Sequence, residues 1–271
     1  MADRALHQPY AALQQRPFQW FIVSLLAMTM AAQVQAVVVG WLVYQATHDP
    51  LSLGLIGLAE IVPYVSVALF AGYIADRMDR RRISILALGV LCIASVALLG
   101  FIAAAPSPTV VWPFYAVIAL CGLARSFLQV ARSALVSEIV APAHYANAAT
   151  WRSSTWQLGM VLGPALGGLL FAAFGARVTF TVNVGLSFLA LTAMIAVRHV
   201  PPPRGPLADS VVRNLAEGIA FLRVNQVILA ALALDMVAVL FGGAVALMPV
   251  FASDILRVGP RGLGVLQAAP G

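Results

Sequence analysis

The chain has 271 residues, of which 62% are hydrophobic and only 10% are charged. Soluble domains carry about 25% charged residues, so this composition excludes an ordinary water-soluble globule and indicates an integral membrane protein. The net charge of +6 comes from 16 basic residues, all of them arginine, against 10 acidic ones. Because the charges stand between long apolar runs and not on one face, we expect no nucleic-acid partner.

Apolar runs long enough to cross a membrane follow one another along the chain. A helix needs about 20 mostly apolar residues to span a hydrocarbon core about 30 Å thick. We predict seven spans, and an eighth that begins near Gly262 and reaches Gly271. The seven run from Phe18 to Tyr44, Leu53 to Ala75, Ile83 to Ala104, Val111 to Leu135, Ala148 to Phe174, Val178 to Val197 and Val227 to Val250. The predicted fold class is an all-α integral membrane protein, with the lipid bilayer as its surroundings.

The arginines predict the orientation of these spans. Most of them lie in connectors that fall on one side of the membrane: Arg4, Arg16, Arg77, Arg80, Arg81, Arg82, Arg132, Arg152, Arg198, Arg204, Arg213 and Arg223. By the positive-inside rule this side is cytoplasmic, so we expect a multi-pass protein of a plasma (bacterial inner) membrane with its N-terminus in the cytoplasm. Trp41, Tyr44, Trp112 and Tyr115 lie near the predicted outer ends of their spans and are expected to be interfacial anchors, with stacking on a ligand as the alternative.

A proline-rich segment divides the chain into three parts. Residues 1–199 are predicted to form a bundle of six transmembrane helices. Residues 200–225 begin with several prolines and read as a cytoplasmic linker, in which apolar residues from Val211 to Leu222 recur at the spacing of an amphipathic surface helix. A solvated helix within the linker is the alternative. Residues 226–271 would start a second bundle.

A weak internal repeat supports that division. Pro50, Leu53 and Gly54, at the entrance to the second span, recur 210 positions later as Pro260, Leu263 and Gly264. The first span shifted by the same offset falls on the seventh, so the order of spans indicates two parallel six-span repeats, an arrangement known in secondary transporters. We therefore expect a truncated twelve-span architecture, in which the second repeat is incomplete.

The connector between the second and third spans carries the most distinctive motif. It reads Gly72-Tyr-Ile-Ala-Asp76-Arg77-Met-Asp79-Arg80-Arg81-Arg82. A glycine near a helix end permits close packing, and a carboxylate beside arginines can form charge-assisted hydrogen bonds. An ordinary basic cytoplasmic loop is the plainer interpretation.

This connector resembles the G-x-L-A-D-R-x-G-R-R loop of the major facilitator superfamily, at the same place between spans two and three. In that family the loop is a charge-relay latch that stabilises one of two alternating conformations. The resemblance assigns the latch role to Gly72, Asp76, Arg77, Arg80 and Arg81. Met78 and Asp79 depart from the family pattern, and Asp79 either disturbs the tight turn or adds a second acid to the latch.

A second motif lies in the fifth span, where Gly159, Gly163, Pro164, Gly167 and Gly168 follow in close order. Small residues four apart let helices approach closely, and a proline can loosen the backbone. The segment resembles the antiporter motif of the superfamily's drug and metabolite exporters, although Thr150 stands where that motif has a further glycine. A purely structural packing helix is the alternative. The register of the whole chain is most similar to the enterobactin-exporter-like branch.

Four polar residues inside the spans are candidates for proton coupling or for lining a cavity. Ionisable groups within a membrane cost about 2.5–3.5 kcal/mol each and usually face a cavity or a partner. Glu60, Arg125 and Asp235 are of this kind, and a carboxyl among them could carry a proton. A structural ion pair or hydrogen bond is the alternative for each carboxyl. Gln33 and Gln35 point to different faces of the first span, so at most one of them lines the cavity.

Together these features predict a secondary active transporter that exports a small amphipathic drug, siderophore or metabolite by alternating access, driven by proton exchange. The alternative is a fragment or membrane subunit that does not transport and pairs with another protein. The four histidines and two cysteines lie far apart, so we expect no metal site, no catalytic cluster, no cofactor and no enzymatic activity. The pattern leaves the oligomeric state and the substrate open.

Overall fold

The computed structural model describes residues 10–104, 110–198, 225–241 and 247–269, and within them every regular element is helical. Short 3₁₀ turns, Ala12–Gln14 and Pro142–His144, precede the first and fifth helices, and a π-helical turn, Phe251–Ile255, continues the seventh. The helices are α1 Arg16–Thr47, α2 Pro50–Arg77, α3 Arg80–Ala104, α4 Trp112–Ile139, α5 Tyr145–Ala196, α6 Gln226–Phe241, α7 Met248–Val250 and α8 Gly259–Ala268.

Helix α5 contains both the fifth and the sixth predicted spans. Its 52 residues would extend about 78 Å if straight, far more than a bilayer core requires. Gly175 interrupts it with φ 77° and ψ 179°, a conformation open to glycine because it has no Cβ. The chain therefore folds back at Gly175 into two arms, 145–174 and 176–196. Within the described residues five helices are long and apolar enough to cross a membrane, and α5 is one of them.

The helices pack into a bundle around α1, which lies mainly against α5, while α4 contacts both α2 and α3. Large buried side chains fill the spaces between them, among them Phe18, Leu91 and Phe180. Buried polar groups add interhelical hydrogen bonds: Ser24 Oγ donates to the Ala190 carbonyl at 2.8 Å, and Asn183 Nδ2 to the Ala31 carbonyl at 2.6 Å. Such bonds contribute about 0.6–1.7 kcal/mol each inside a membrane.

The outer surface of the bundle is apolar. Leu86, Ile93 and Phe188 are more than half exposed, as expected for side chains that face lipid tails. The ends of α2, α4 and the beginnings of α3 and α5 lie at one end of the bundle, together with Arg80, Arg81 and Arg82; we call this the arginine-rich end. The opposite end holds the end of α1 and the start of α2.

In the later part of the chain, the helical structure extends beyond the predicted bounds of the seventh and eighth spans. Helix α6 begins one residue before the seventh predicted span, and helical structure also runs past the predicted end at Val250 through the π-helical turn to Ile255. Helix α8 starts at Gly259, three residues before the predicted start at Gly262. Its second residue, Pro260, is the repeat counterpart of Pro50, the first residue of α2. The linker prediction for 200–225 and its amphipathic helix lies outside the described residues except for Asn225.

The interpretation of Trp41 and Tyr44 as interfacial anchors was wrong. Trp41 is only 6% exposed and Tyr44 only 4%. Ala252 and Leu263 from the second predicted repeat cover Trp41, which also meets the edge of Phe171 with ring centroids 6.5 Å apart. Both residues are therefore buried between the end of α1 and the start of the second predicted repeat.

Candidate functional site

A cavity of about 230 Å³ lies between α1, α2, α4 and the first arm of α5. It mixes apolar side chains with polar ones, which is typical of sites that bind small molecules. Its lining comprises Leu25, Met28, Thr29, Ala32, Gln33, Tyr64, Arg125, Leu128, Gln129, Arg132, Trp156 and Met160. Two of the sequence-predicted residues, Gln33 and Arg125, are among them.

Arg125 and Glu60, which the sequence offered as separate candidates, form an ion pair. Nη1 of Arg125 on α4 donates to Oε1 of Glu60 on α2. The two side chains are 23% and 34% exposed, so the pair is partly shielded from solvent. Nε of Arg125 is buried and has no hydrogen-bond partner among the described residues. The pair thus joins two helices at the edge of the cavity while keeping unused donor capacity.

Gly122, one helical turn before Arg125, allows this pairing. A Cβ at this position would overlap the carbonyl oxygen of Glu60, which belongs to the rigid backbone of α2. Because glycine lacks that atom, α2 and α4 approach each other at the level of Glu60. The close approach brings the carboxylate within reach of the guanidinium group one turn along α4.

Gln33 and Gln35 occupy different environments, as their spacing requires. Gln33 lines the cavity, and its Nε2 donates to Sδ of Met160 at 2.6 Å. Gln35 is only 3% exposed, and its Nε2 lies 3.7 Å from Sγ of Cys121. Gln33 therefore belongs to the cavity, whereas Gln35 is part of the packing between α1 and α4.

The glycine motif of α5 is a contact surface for two helices. A Cβ at Gly159 would lie 2.8 Å from Cβ of Thr29, and one at Gly163 would lie 2.5 Å from Cβ of Gln33. A Cβ at Gly167 would be 3.1 Å from Cα of Val34, so all three glycines allow α1 to approach. The motif thereby sets the position of Gln33 in the cavity.

The other part of the same motif faces the second predicted repeat. A Cβ at Gly168 would lie 2.7 Å from Cα of Gly264 and 2.7 Å from the Pro260 carbonyl oxygen. In the reverse direction, a Cβ at Gly264 would lie 2.7 Å from the carbonyl oxygen of Pro164. Gly168 and Pro164 therefore form the close contact between α5 and α8.

At the arginine-rich end, the loop between α2 and α3 holds Arg80 against α4. Nη1 of Arg80 donates to Oε1 of Glu138 at 2.8 Å, and both side chains are largely buried. Asp76, which the family resemblance marks, is 72% exposed and lies 3.9 Å from Nη2 of Arg80. Glu138 is thus the closer acidic partner of Arg80, and the sequence analysis missed it.

The remaining residues of this loop have defined local roles. Arg77 lies over the ring of Tyr73 at 3.5 Å from its centroid, a cation–π contact. Nη2 of Arg81 donates to the Ile195 carbonyl at 2.5 Å. Asp79 accepts a hydrogen bond from the backbone N–H of Arg81 at 2.9 Å and so caps the start of α3.

The close packing expected at Gly72 is not present among the described residues. A Cβ at this position would meet no described atom within 4 Å. The turn after Gly72 is not disturbed by Asp79, which stands where the family has a glycine. Asp79 caps α3, and the loop between α2 and α3 stays short. The glycine-dependent helix contacts described above lie instead on α4, α5 and α8.

A prediction distinguishes the two acidic residues near Arg80, Glu138 and Asp76. Glu138→Gln is expected to lower the free energy of unfolding by about 1–3 kcal/mol, because it removes the charge that pairs with a largely buried guanidinium group. Asp76→Asn, the matched control, is expected to cost less than about 0.5 kcal/mol because its carboxylate is exposed. Denaturation of both variants in the same detergent measures the difference. A larger loss for Asp76→Asn contradicts the assignment.

The opposite end of the bundle is closed by a contact between equivalent positions of the two predicted repeats. The hydroxyl of Tyr44 donates to Oδ2 of Asp254, and the two residues are 210 positions apart, the offset of the repeat. Equivalent positions can touch only near the axis that relates the repeats. The hydroxyl of Ser253 also donates to Asp254, at 2.6 Å.

These hydrogen bonds change the acidity of Asp254, which lies in the turn after the predicted seventh span. Bonds from Ser253 and then from Tyr44 hold the pKa of this carboxyl below its ordinary value of 3.8, with smaller contributions from His48 and Arg257. The ionised form of Asp254 is therefore the one that the closed contact favours.

Comparison with known proteins identifies the family. Residues 21–271 match the Major Facilitator Superfamily. The chain belongs to this superfamily. It is therefore a multi-pass membrane protein, and its family is one of transporters and not of enzymes. The described helices and their order agree with the fold class predicted from the sequence.

Two relatives are similar over about three quarters of the chain. The multidrug efflux pump Tap of Mycolicibacterium fortuitum is 29% identical over 209 residues, which cover 73% of this chain and 50% of the relative. The enterobactin exporter EntS of Shigella flexneri is 28% identical over 206 residues, or 74% of this chain and 47% of the relative. The chain thus spans about half the length of these relatives.

A solved structure supports the fold alone. The POT family transporter PepTSo superimposes with a TM-score of 0.63 at 16% sequence identity, covering 95% of this chain and 55% of that chain. Since the two share the arrangement of helices at so low an identity, their similarity carries no information on substrates.

The predicted site residues therefore fall into three groups. Gln33 and Arg125 line the cavity and Glu60 pairs with Arg125, the glycine motif forms helix contacts, and the loop residues lie at the arginine-rich end. Helix α6 carries Asp235, whose side chain lies outside the described part of the structure. Within the described residues no group of histidines, cysteines or carboxylates could hold a metal ion.

Proposed function

We propose that this chain takes part in proton-coupled efflux of small amphipathic compounds by alternating access. The observation that carries the proposal is the cavity between four helices with the Glu60–Arg125 pair at its edge. The efflux pump and the siderophore exporter among its relatives support the direction of transport, since each is named for export.

In this proposal Glu60 carries the proton. While ionised, it pairs with Arg125 and holds α2 and α4 together. Protonation removes its charge and releases Arg125, which then has donors free for a substrate in the cavity. Proton binding to Glu60 and substrate binding to Arg125 each require this pair to break, so the pair links the two events.

The closed end supports one state of the alternating cycle. Contacts from the end of α1 and from α5 to the second predicted repeat close the side opposite the arginine-rich end. With the arginine-rich end in the cytoplasm of a bacterial inner membrane, the cavity would face inward, and the N-terminus would be cytoplasmic. Gly168 and Gly264 would separate when the outer side opens, while the loop contact between Arg80 and Glu138 would respond to the opposite movement.

Transport in proteoliposomes tests the proposal. The purified chain is reconstituted with an acidic interior, and accumulation of three fluorescent probes is followed: cationic ethidium, neutral Nile red and anionic 2-naphthoate. Proton exchange predicts that at least one probe accumulates, that nigericin abolishes the accumulation by dissipating the pH gradient, and that Glu60→Gln does the same. Full-length Tap serves as the positive control.

Two results would contradict the proposal. Accumulation that persists after the gradient has been dissipated would exclude proton coupling. If Tap transports a probe under these conditions and this chain transports none, the activity would not reside in this chain, and a membrane subunit that pairs with another protein would be the better interpretation.

The contact at the outer end is expected to depend on pH. Because the closed contact lowers the pKa of Asp254, its contribution is fully present above about pH 3.8 and is lost as the pH falls through the lowered value. Spin labels at Gln45→Cys and Leu256→Cys, with Cys92 and Cys121 replaced by serine, report the separation. We expect the distance between the two labels to lengthen on acidification. In the Asp254→Asn variant we expect this distance to be long at every pH. An Asp254→Asn variant that retains the pH dependence would contradict the assignment.

A further inference from the structure

A second cavity of about 200 Å³ adjoins the first on the side of the arginine-rich end. The two share Leu25, Gln129, Arg132 and Trp156, so they lie side by side. The second cavity adds Phe21, Ser133, Arg152 and Ser153. A compound that entered from the arginine-rich end would therefore meet this cavity before it reached Gln33 and Arg125.

Two arginines face this space, and the part of the chain that the structure describes supplies neither with a counter-ion. Arg132 lies on α4 and Arg152 on the first arm of α5, and neither forms an ion pair with a carboxylate among the described residues. Nη2 of Arg132 is buried and has no hydrogen-bond partner in the same part of the chain. The described residues that line the two cavities include no acidic side chain.

Such an arrangement is costly unless something neutralises it. Two guanidinium groups across one cavity repel each other, and a buried donor without a partner loses its hydration without compensation. A structural reason would be a neighbouring carboxylate, as Glu60 supplies for Arg125 and Glu138 for Arg80. Among the described residues Arg132 and Arg152 have no such carboxylate, so a bound anion is the group that would complete the site.

The rest of the lining suits an amphipathic anion. The hydroxyls of Ser133 and Ser153 and the amide of Gln129 can donate to the oxygens of a carboxylate, phenolate or phosphate. Phe21, Leu25 and Trp156 form an apolar surface beside them, and Trp156 offers an indole ring to an aromatic group. Planar guanidinium groups bind such oxygens in bidentate geometry.

We propose that Arg132 and Arg152 form an entry site that binds the anionic group of an amphipathic aromatic compound, with its apolar part against Phe21 and Trp156. This inference rests on the proposed function because it names the substrate class of the same cavity. The anion occupies the site while the outer end is closed, and it is passed on towards Arg125 when the proton on Glu60 frees that guanidinium group.

Equilibrium binding tests the inference without requiring transport. The purified chain in phosphatidylcholine nanodiscs is dialysed at pH 7.5 against 2-naphthoate or its neutral analogue 2-naphthamide, with empty nanodiscs as the correction for partitioning. We expect naphthoate to bind at least about 10-fold more tightly than the amide, as charge-assisted hydrogen bonds predict. Arg132→Met and Arg152→Met are each expected to remove that preference, whereas Arg132→Lys retains part of it.

Arg82→Gln is the matched control, because it removes a cation whose side chain is 78% exposed at the same end of the bundle. It is expected to change naphthoate binding less than about twofold. Unchanged binding of the amide to the Met variants, together with an unchanged helical circular dichroism spectrum, shows that those variants fold. Equal binding of acid and amide to the unmodified chain would overturn the inference, as would a preference that survives both Met substitutions.

The same oxygens are present on lipid headgroups, so a second arm separates the two sources. Phosphatidylglycerol is added to the nanodiscs at 30 mol%. If the site takes a soluble anion, naphthoate binding stays within about twofold. Competition that raises the dissociation constant more than about tenfold, and that Arg132→Met abolishes, would identify a lipid site and overturn the assignment to substrate. Anion binding with no probe accumulation in proteoliposomes would leave this site in place and count against the proposed transport alone.

Discussion

Arg125→Met is expected to lower proton-driven transport at least about 100-fold, equivalent to roughly 2.7 kcal/mol. The substitution removes the partner of Glu60 and the guanidinium group that the proposed cycle hands to the substrate. Without Arg125, proton exchange at Glu60 would no longer make or break a contact between α2 and α4, so the link between the proton and the cavity would be lost. Initial rates of probe accumulation under a pH gradient measure that loss.

A double-mutant cycle separates coupling from stability. Removal of one partner of a fully buried pair costs about 3–5 kcal/mol. Because Glu60 is about one third exposed, we discount this to roughly 1–3 kcal/mol for Arg125→Met. Glu60→Gln combined with Arg125→Met is expected to recover much of the stability but none of the proton-driven transport. Arg177→Met, which removes an exposed arginine bonded to the Ala103 carbonyl, is the matched control. If the double variant transports as the unmodified chain does, the pair has no part in coupling.

The sequence predicted the helices well because their signal is local. Runs of apolar residues of membrane-spanning length identify each helix, and the glycine at position 175 marks the reversal within α5. The ends were less predictable. Helical structure passes Val250 into a π-helical turn, in which Asp254 bonds to Tyr44 from a distant part of the chain.

The candidate site was predicted residue by residue, but not its pairings. Glu60 and Arg125 were each recognisable as ionisable groups within apolar runs, yet nothing in a single sequence says that they meet. Their partnership depends on how α2 and α4 pack, which is a non-local property. The offset between Gly122 and Arg125, one helical turn, is the local sign that a neighbouring helix approaches at this level, and it was overlooked.

Glu138 and Tyr44 were missed for a different reason. The family resemblance drew attention to Asp76 in the loop, although Glu138 on α4 lies closer to Arg80. Tyr44 is an aromatic residue near the end of a span, a position typical of interfacial anchors. It is buried because the second predicted repeat packs against it. Its partner Asp254 stands at the repeat offset, so a search for polar residues at equivalent positions would have paired the two.

Gly122→Ala is expected to lower the free energy of unfolding by about 1–3 kcal/mol, the cost of overpacking a close helix contact. The new Cβ would overlap the carbonyl oxygen of Glu60, and because that oxygen belongs to a helical backbone, α2 and α4 must move apart. Separation of the helices also lengthens the Glu60–Arg125 pair, so proton-driven transport is expected to fall with stability. Denaturation in detergent and initial transport rates measure the two effects.

Gly89→Ala is the matched control, since a Cβ at this mid-helix position of α3 would meet no described atom within 4 Å. Glycine within a helix costs about 0.5–1 kcal/mol relative to alanine, so Gly89→Ala is expected to leave stability unchanged or to raise it by up to that amount. The contrast between the two variants isolates the helix contact from helix propensity, which acts in the stabilising direction at both sites. Equal stability of the two variants would mean that α2 and α4 do not depend on Gly122 for their approach. A Gly122→Ala variant that loses stability but keeps full transport would instead separate the close contact from the function of the Glu60–Arg125 pair.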